Sequence, residues 1–599
     1  MTEDNKIKDP ALFYKKRIEE FKSLEISCIK KEKWFSFIRL FLFITAIVLF
    51  YFIFKTNKLI AFISLFVFII GFLYVVKLDL ANFSKKQFYI IMHTLNENEY
   101  KSLKGKSDFF FEGGEYQEKE HNYSSDLDIF GKFSLFQFVN RSNLKVSRDI
   151  LASWLKLPAL PEEIYLRQKA IEELSSKPDW IQRLFSVSFK IKEINNNQQQ
   201  IVDWIKEPCL FIANKFLKII IYVLPIITLV SIVLSFYFLP TVVPSMIFLL
   251  NLSIIAARIK QINIIHSKLS SNTALLKSCA KIITIIEKEN FQADKLKFLK
   301  EFFSKSISSF EINNLSKLMN KFDYRNNIIV GFLLNALFLW DIRVVLKLEK
   351  WKIKNNNIDD LFTTIGQVEA LASMANLKFN YPNWTFPKIS NNYFNFKAKM
   401  LGHPLIAEER MIRNDFGILG ARKIILVTGS NMSGKSTFLR TIGINMVLAM
   451  AGSCVCATEF EMSPVKIMTS MRINDSLEEN TSSFYAELKR LENIIKTVSS
   501  KEKVFLLLDE ILRGTNSNDR HIGSIALIKQ LITENAVGII ATHDLELSKL
   551  GAEMPANIDN YNFDVKVEND ELYFDYKLNN GICSSLNASI LMKKIGISI

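Results

Sequence analysis

Cysteine is scarce: six residues in a chain of 599, at Cys28, Cys209, Cys279, Cys454, Cys456 and Cys583. The one close pair, Cys454-Val455-Cys456, has the wrong spacing for a zinc knuckle and no second pair to complete one. A disulfide-stapled secreted domain and a zinc-built fold are therefore excluded, and the thiols read as reduced cytosolic or lipid-facing groups. No small-residue cleavage site follows the lysine-rich N-terminus, so the chain does not open with a secretory signal peptide. No dense basic block occurs either, although 76 Lys and Arg outweigh 61 Asp and Glu to give a net charge of +15. That excess fits an anionic partner, nucleic acid or a lipid surface, and equally a lysine-rich composition with lysines flanking membrane segments. Gly and Pro are nearly absent between residues 260 and 377, where long helical periodicity with Lys/Glu faces predicts helices.

Hydrophobic residues are plentiful, at 49% with 49 Phe and a mean hydropathy of +0.14. The excess is concentrated. Phe35–Phe54 and Leu59–Val76, separated by Lys55-Thr56-Asn57-Lys58, each approach the ~20 residues a helix needs to cross the hydrocarbon core. The short connection makes them a helical hairpin. A second block, Ile219–Ala257, carries no charge, and Pro240 and Pro244 near its middle predict a turn and a second hairpin. The alternative for both blocks is buried helices of a soluble protein. Lys77, Lys85 and Lys86, with the basic N-terminus, place both flanks of the first hairpin in the cytoplasm. An even number of crossings of the cytoplasmic (inner) membrane then leaves the C-terminal half in the cytoplasm. Ile328–Trp340 is apolar but short and contains Asn335, so it reads as a buried core helix; a fifth crossing would carry the C-terminal half outside.

The expected organisation is a basic segment (1–33), a first hairpin (34–77), a helical region (78–215), a second hairpin (216–258), further helices (259–377) and an α/β domain (378–599). The Asn195–Gln200 tract reads as a loop. After Tyr381-Pro382 and Phe386-Pro387, apolar strands alternate with helices in the βαβ pattern of a parallel sheet.

Three strand ends of that domain carry chemistry. The apolar strand Lys423–Thr428 runs into Gly429-Ser430-Asn431-Met432-Ser433-Gly434-Lys435-Ser436, which fits G-x-x-x-x-G-K-[ST] at every fixed position, and Thr437 onward reads as a helix. Backbone N–H groups of such a loop close around the phosphates of ATP, Lys435 reaches the β- and γ-phosphates, and the Ser436 hydroxyl ligates magnesium. The strand Val504–Leu508 ends in Asp509 and Glu510, candidates for the magnesium carboxylate and the general base that polarises the attacking water. The strand Val537–Ala541 ends in Thr542-His543-Asp544, where His543 can contact or sense the γ-phosphate.

In combination these residues resemble the ATPase domain of the MutS family of DNA mismatch-repair proteins. Thr428–Arg440 (TGSNMSGKSTFLR) is similar to its phosphate loop, Asp509–Asp519 (DEILRGTNSND) to its Asp-Glu segment, and Ala541-Thr542-His543 to its Ala-Thr-His strand end. His403-Pro404 resembles the start of the domain, and Leu572–Gly581 its last hairpin. Ser482-Ser483-Phe484-Tyr485-Ala486-Glu487 resembles the family's Ser-Thr-Phe-x-x-Glu element, which implies that Ser482 reaches the γ-phosphate of a partner subunit. A weaker resemblance over Asp126–Gly131, Ser134–Pro158 and Ile365–Ala375 implies a MutS-like helical core and levers. The fold implied is an ABC-type, MutS-like P-loop domain after an all-α region with two inserted hairpins. The function implied is an ATP- and magnesium-dependent DNA-binding switch that works as a homodimer, tethered here to a lipid bilayer.

The departures are Ser430 for a proline, Leu512 for a glycine after the Asp-Glu pair, Asn480 and Ser147 for glycines, and Ser589 where a histidine often lies near the adenine. The mismatch-reading domain is expected to be missing. Phe110-Phe111-Glu112 spells its Phe-x-Glu wedge, but hydrophobic segments occupy the surrounding chain. An ABC-type transporter is disfavoured by the lack of a Leu-Ser-Gly-Gly-Gln element and by apolar segments with no ionisable group beyond Arg39. A membrane-anchored ATPase acting on a protein partner remains the alternative.

Overall fold

Asp9 opens the first helix: its carboxylate accepts N–H bonds from Ala11 and Leu12, and Pro10 fits the first turn, where no donor is needed. The computed structural model describes residues 9–118, 120–189, 198–472, 483–568 and 571–583, arranged as two compact units.

The first unit takes in the chain as far as Phe110 with Phe379–Tyr381 and Leu405–Glu409. It is dominated by α1 (Pro10–Phe54) and α2 (Lys58–Leu103), whose 45 and 46 residues form one long hairpin. At 1.5 Å per residue each helix is about 68 Å long. The expected boundary between a basic segment and a first hairpin does not exist as a break in structure. The Lys/Glu-rich turns carry an apolar stripe, buried Tyr14, Phe21 and Cys28, at the seven-residue spacing of a helix pair, which keeps the helix continuous. Between the polar halves, the Asn82 amide donates to the Cys28 carbonyl at 3.0 Å, and Lys86 pairs with Glu32 at 2.7 Å. At their base the Tyr14 hydroxyl donates to Asn380 at 2.7 Å, and the Asn380 amide to Glu99 at 2.9 Å. Beyond the Arg39–Asp79 pair at 3.1 Å both helices are apolar and face outward; Phe41 and Phe66 are 60% and 64% exposed.

The second unit begins with α3 (Leu135–Val139), α4 (Lys145–Lys156), α5 (Pro161–Ser175), α6 (Pro178–Phe189), α7 (Gln198–Lys206) and α8 (Leu210–Ala213). Gln198–Gln200, expected in a loop, open α7; the rest of that tract lies outside the described residues. The second apolar block folds as α9 (Lys215–Ser235) and α10 (Val242–Ala256), with the turn at Phe236–Thr241. Pro244 lies in the first turn of α10, where its missing N–H costs nothing, rather than in the connection. There follow α11 (Ile259–Ser270), α12 (Thr273–Lys288), α13 (Asp294–Lys305), α14 (Ser309–Phe322), α15 (Ile328–Phe338), α16 (Trp340–Lys354) and α17 (Ile358–Asn380). Contrary to expectation α15 is not a buried core helix. Its neighbours cover Gly331, Asn335 and Ala336, and leave Ile328 85% and Ile329 72% exposed. Three described helices, α1, α2 and α9, are long and apolar enough to cross a membrane, while α10 with α11 and α15 with α16 form apolar pairs bent by 62° and 80°.

The α/β part holds two sheets. The smaller has the order β1 (Lys388–Ile389), β5 (Glu459–Met462), β2 (Asn395–Leu401), β3 (Asn414–Leu419). The larger runs β10 (Glu571–Asn580), β9 (Ile558–Glu568), β4 (Ile424–Gly429), β8 (Val537–Thr542), β7 (Val504–Asp509), β6 (Lys466–Ser470). All its strands are parallel except β10, which returns antiparallel on β9. The helices α18 (Lys435–Ala451), α19 (Ser483–Ser499), α20 (Ser517–Thr533) and α21 (Leu550–Glu553) complete it. Residues of β4, β7 and β8 are buried at every position, as strands covered on both faces must be. Buried Asp126 ties the helical region to this part: it accepts from Thr469 Oγ1 at 2.6 Å, from the Met471 and Arg472 N–H groups, and from Arg490 of α19 at 2.8 Å.

Candidate active site

Three neighbouring parallel strands build the site. Register pairs Thr428 of β4 with Thr542 of β8, and Ala541 of β8 with Asp509 of β7. The loop after β4, the His543 turn after β8 and the Asp509-Glu510 pair after β7 are therefore brought to one sheet edge, the carboxyl end, where open α/β sheets bind their ligands.

Glycine is required twice in the loop. Gly434 has φ +103° and a Cβ there would lie 3.0 Å from the Tyr576 ring, while a Cβ on Gly429 would meet the Phe563 carbonyl at 2.7 Å. Asn431 and Met432 are exposed, Ser430 and Ser433 buried, and Ser436 and Thr437 lie in the first turn of α18, Ser436 half-buried and Thr437 exposed. The first N–H groups of this 17-residue helix have no partner within it, which leaves a donor cluster and the positive end of the helix dipole at the loop.

Lys435 is buried, its ammonium donating to the carbonyls of Gly429 at 2.9 Å and Ser430 at 2.8 Å, with His543 Nδ1 at 3.5 Å. Burial pulls its pKa down to about 8, while the charges of Glu510 and Asp509 act in the opposite direction. On its other side His543 Nε2 meets Glu510 Oε1 at 2.5 Å. Arg513 Nε meets Glu510 Oε2 at 3.0 Å, and its other nitrogen stands 3.7 Å from Asp509. The hydrogen bond from His543 is the largest influence on Glu510 and holds its carboxyl below the usual carboxylate range, against the opposing effect of burial. Three buried polar atoms at this edge, Ser430 Oγ, Ser433 Oγ and Asp509 Oδ1, have no hydrogen-bond partner among the described residues. Polar atoms left so are costly unless a ligand completes them. Hydroxyls and N–H groups around a lysine suit a polyphosphate, and the Asp509 carboxylate with the Ser436 hydroxyl at the same sheet edge suits magnesium, which shares its ligands with phosphate oxygens and water. Among the described residues no group of three or more His, Cys, Asp or Glu forms a metal site of its own.

The structure thus gathers Gly429, Ser430, Asn431, Met432, Ser433, Gly434, Lys435, Ser436, Thr437, Asp509, Glu510 and His543 at one edge. Ser482 lies outside the described residues. Sequence reasoning assigned no role to Arg513 or Glu487. Glu487 of α19 is buried and accepts the N–H groups of Leu512 at 2.5 Å and Arg513 at 3.1 Å; burial raises its carboxyl, opposed by those bonds. Gly514 packs so closely that a Cβ would lie 2.5 Å from the Phe484 side chain. Leu512 stands where the family has glycine, and its φ of +59° is the reason glycine suits the position. Its side chain packs toward α20, where Gly523 leaves room for it. The first turns of α19 therefore hold the segment that follows Glu510. Glu487→Ala is expected to lower kcat while leaving the nucleotide KM near wild type, because the loop itself is untouched. Two unsatisfied N–H groups would also cost about 1–3 kcal/mol each in stability. Steady-state kinetics and thermal melts check both; an unchanged kcat would remove Glu487 from the positioning of this segment.

A family model described as MutS domain V matches residues 425–594. The DNA mismatch repair protein MutS of Finegoldia magna is 34% identical over 248 residues, 40% of this chain and 28% of that protein. MutS protein homolog 4 of Mus musculus is 33% identical over 196 residues, 31% of this chain and 20% of that protein. The DNA mismatch repair protein MutS of Thermotoga maritima is 30% identical over 237 residues, 39% and 29% of the two chains. The similarity spans less than a third of the length of each of these relatives.

Proposed function

We propose that this chain, whose residues 425–594 match MutS domain V, is a member of the MutS family that acts as a membrane-tethered, ATP-hydrolysing switch, dimerises around two nucleotides and binds DNA. The observation that carries the reading is the convergence of Lys435, Asp509, Glu510 and His543 beside three buried polar atoms that have no partner among the described residues. In this reading the Gly429–Thr437 loop and the α18 N-terminus cradle the phosphates, and Lys435 neutralises them. Ser436 and Asp509 would hold magnesium, which supplies positive charge against the β- and γ-phosphates when ATP is bound. Glu510 takes the proton of the attacking water, and His543, standing between Lys435 and Glu510, contacts the γ-phosphate. Ser482, which precedes α19 in the sequence, addresses the γ-phosphate of the partner subunit.

The apolar halves of α1 and α2, with α9 and α10, supply the tether to the cytoplasmic membrane. The net charge of +15 supports DNA as the partner. Full-length protein in detergent is expected to bind duplex DNA with an affinity that changes with ATP and falls steeply along a salt series. Each phosphate contact contributes about 0.9 to the log–log slope. Binding that ignored both salt and ATP, or no binding at all, would overturn the DNA reading and favour an ATPase that acts on a protein partner.

A further inference from the structure

The helix α15 has no charged residue, and its outer face, Ile328, Ile329, Phe332 and Leu333, is more than half exposed. Both of its ends lie on one side. The helices before and after it, α14 and α16, pack on each other, with the Trp351 indole donating to the Glu311 carbonyl at 3.0 Å and Lys354 pairing with Glu311 at 2.6 Å. Tyr324, just before α15, and Trp340, just after it, stack with ring centres 6.1 Å apart. A helix whose flanks meet in this way does not cross anything. Its 11 residues amount to about 16 Å, too short to span a ~30 Å hydrocarbon core.

The inner face is specific. The Asn251 amide of α10 donates to the Ala336 carbonyl of α15 at 2.6 Å and to Thr228 of α9 at 3.1 Å, joining the three helices. Gly331 allows the helix to lie on the preceding turn, since a Cβ would stand 2.9 Å from the Arg325 carbonyl oxygen. The exposed face of α15 is thereby joined to the outward faces of α9 and α10, where Ile226 and Leu249 are likewise exposed. An aromatic pair with the exposed Lys321 beside it marks its base, the composition found where helices leave the hydrocarbon for the headgroups, while Arg325 there pairs with Asp341 at 3.3 Å. A protein-docking patch would carry a polar rim; the outward positions of α15 have none.

We propose that α15 is a re-entrant element, embedded by its outer face in the cytoplasmic leaflet of the bilayer without crossing it and held there by α9 and α10. The proposal rests on the reading that α9 and α10 are themselves embedded. Such an element returns the chain to its starting side, so an even number of crossings is kept.

The test uses full-length protein in vesicles with Cys209, the only half-buried cysteine among otherwise buried ones, replaced by Ser. Single cysteines are introduced by Ile329→Cys and Leu333→Cys on α15, Ile226→Cys on α9 and Lys305→Cys on the charged surface of α13, with ATP hydrolysis as the folding control. A charged, membrane-impermeant maleimide should reach the two α15 positions and the α9 position about 10²-fold more slowly than the Lys305 position until detergent is added. A fluorophore at Ile329→Cys should be quenched by nitroxide lipids of the proximal leaflet. If the α9 position is shielded while both α15 positions react like the Lys305 position, the re-entrant proposal is wrong and the tether stands. If the α9 position also reacts freely and alkali strips the protein from vesicles, the tether reading fails and takes the proposal with it. Shielding of α15 without lipid quenching would mean that a second protein surface covers it, which also overturns the proposal.

Discussion

Glu510→Gln is expected to leave ATP bound and to slow its hydrolysis by about 10²–10⁴-fold, the range for loss of a general base. The substitution keeps size and shape at a position where the backbone is unusual, with φ +50°, and the amide can still accept from Arg513. What it removes is basicity. The wild-type carboxylate is held below the ordinary carboxylate range, first by the hydrogen bond from His543, so it is ionised throughout neutral pH. Hydrolysis limited by this group should therefore be flat near neutrality and fall only in acid, as pH drops through a folded value below 4.5. The bond to His543 at 2.5 Å and the contact to Arg513 at 3.0 Å also engage the carboxylate on both oxygens. Activation then requires that one of them let go, and nucleotide phosphates competing for His543 and Arg513 are the natural cause. Single-turnover hydrolysis measured beside equilibrium nucleotide binding separates the effects. A Glu510→Gln protein that turned over at the wild-type rate would place the base elsewhere.

The phosphate loop is legible in the sequence because its chemistry depends on spacing along the backbone, with glycine at fixed places and lysine at a helix start. Asp509 and Glu510 are legible for a related reason: downstream of a phosphate loop, a run of buried aliphatic residues that stops at two carboxylates marks the strand that faces the nucleotide. Arg513 and Glu487 are not legible in the same way. Nothing local in the sequence says that a glutamate on α19 grips the backbone after β7, since that contact depends on how a helix lies across the sheet. Hydropathy has the same limit. It finds α15 as an apolar stretch, but an apolar helix buried in protein and one facing outward have the same composition, and only the packing of α14 on α16 shows which side its ends are on. The continuity of α1 is hidden by composition too: its polar half looks like a tail until the stripe of Tyr14, Phe21 and Cys28 is set against α2.

The grip of α19 on the segment after Glu510 bears on the proposed dimer. The helix α19, which follows Ser482 in the sequence, is the one whose Phe484 packs on Gly514 and whose Glu487 holds Leu512 and Arg513. If α19 shifted on meeting a partner's nucleotide, as the proposed dimer requires, the shift would be felt at Arg513, and through Arg513 at Glu510 and Asp509 of its own subunit. In the proposed dimer this packing would couple the two composite sites without a separate relay.

Lys435→Ala is expected to weaken ATP binding by about 10²–10³-fold, the order of loss when one partner of a buried, hydrogen-bonded charge pair is truncated. The ammonium is the one positive group enclosed by the loop, and without it the carbonyls of Gly429 and Ser430 and the charges of Asp509 and Glu510 face the phosphates uncompensated. A pH series supplies an independent signature. With burial bringing Lys435 to about 8 in the free protein, the site is charged below that pH and progressively neutral above it. ATP binds the charged form, so wild-type affinity should fall by about tenfold per pH unit above 8, and this slope should vanish in Lys435→Ala. Mixed subunits carry the test to the dimer. Ser482→Arg should keep binding by the single subunit but lose hydrolysis and ATP-dependent dimerisation. Paired with Lys435→Ala, it places both lesions in one composite site and leaves the other whole, so partial hydrolysis should return. Recovery of nothing from the mixture, or full-rate hydrolysis by a strictly monomeric protein, would remove Ser482 from the partner's site and leave Lys435 acting within its own subunit alone.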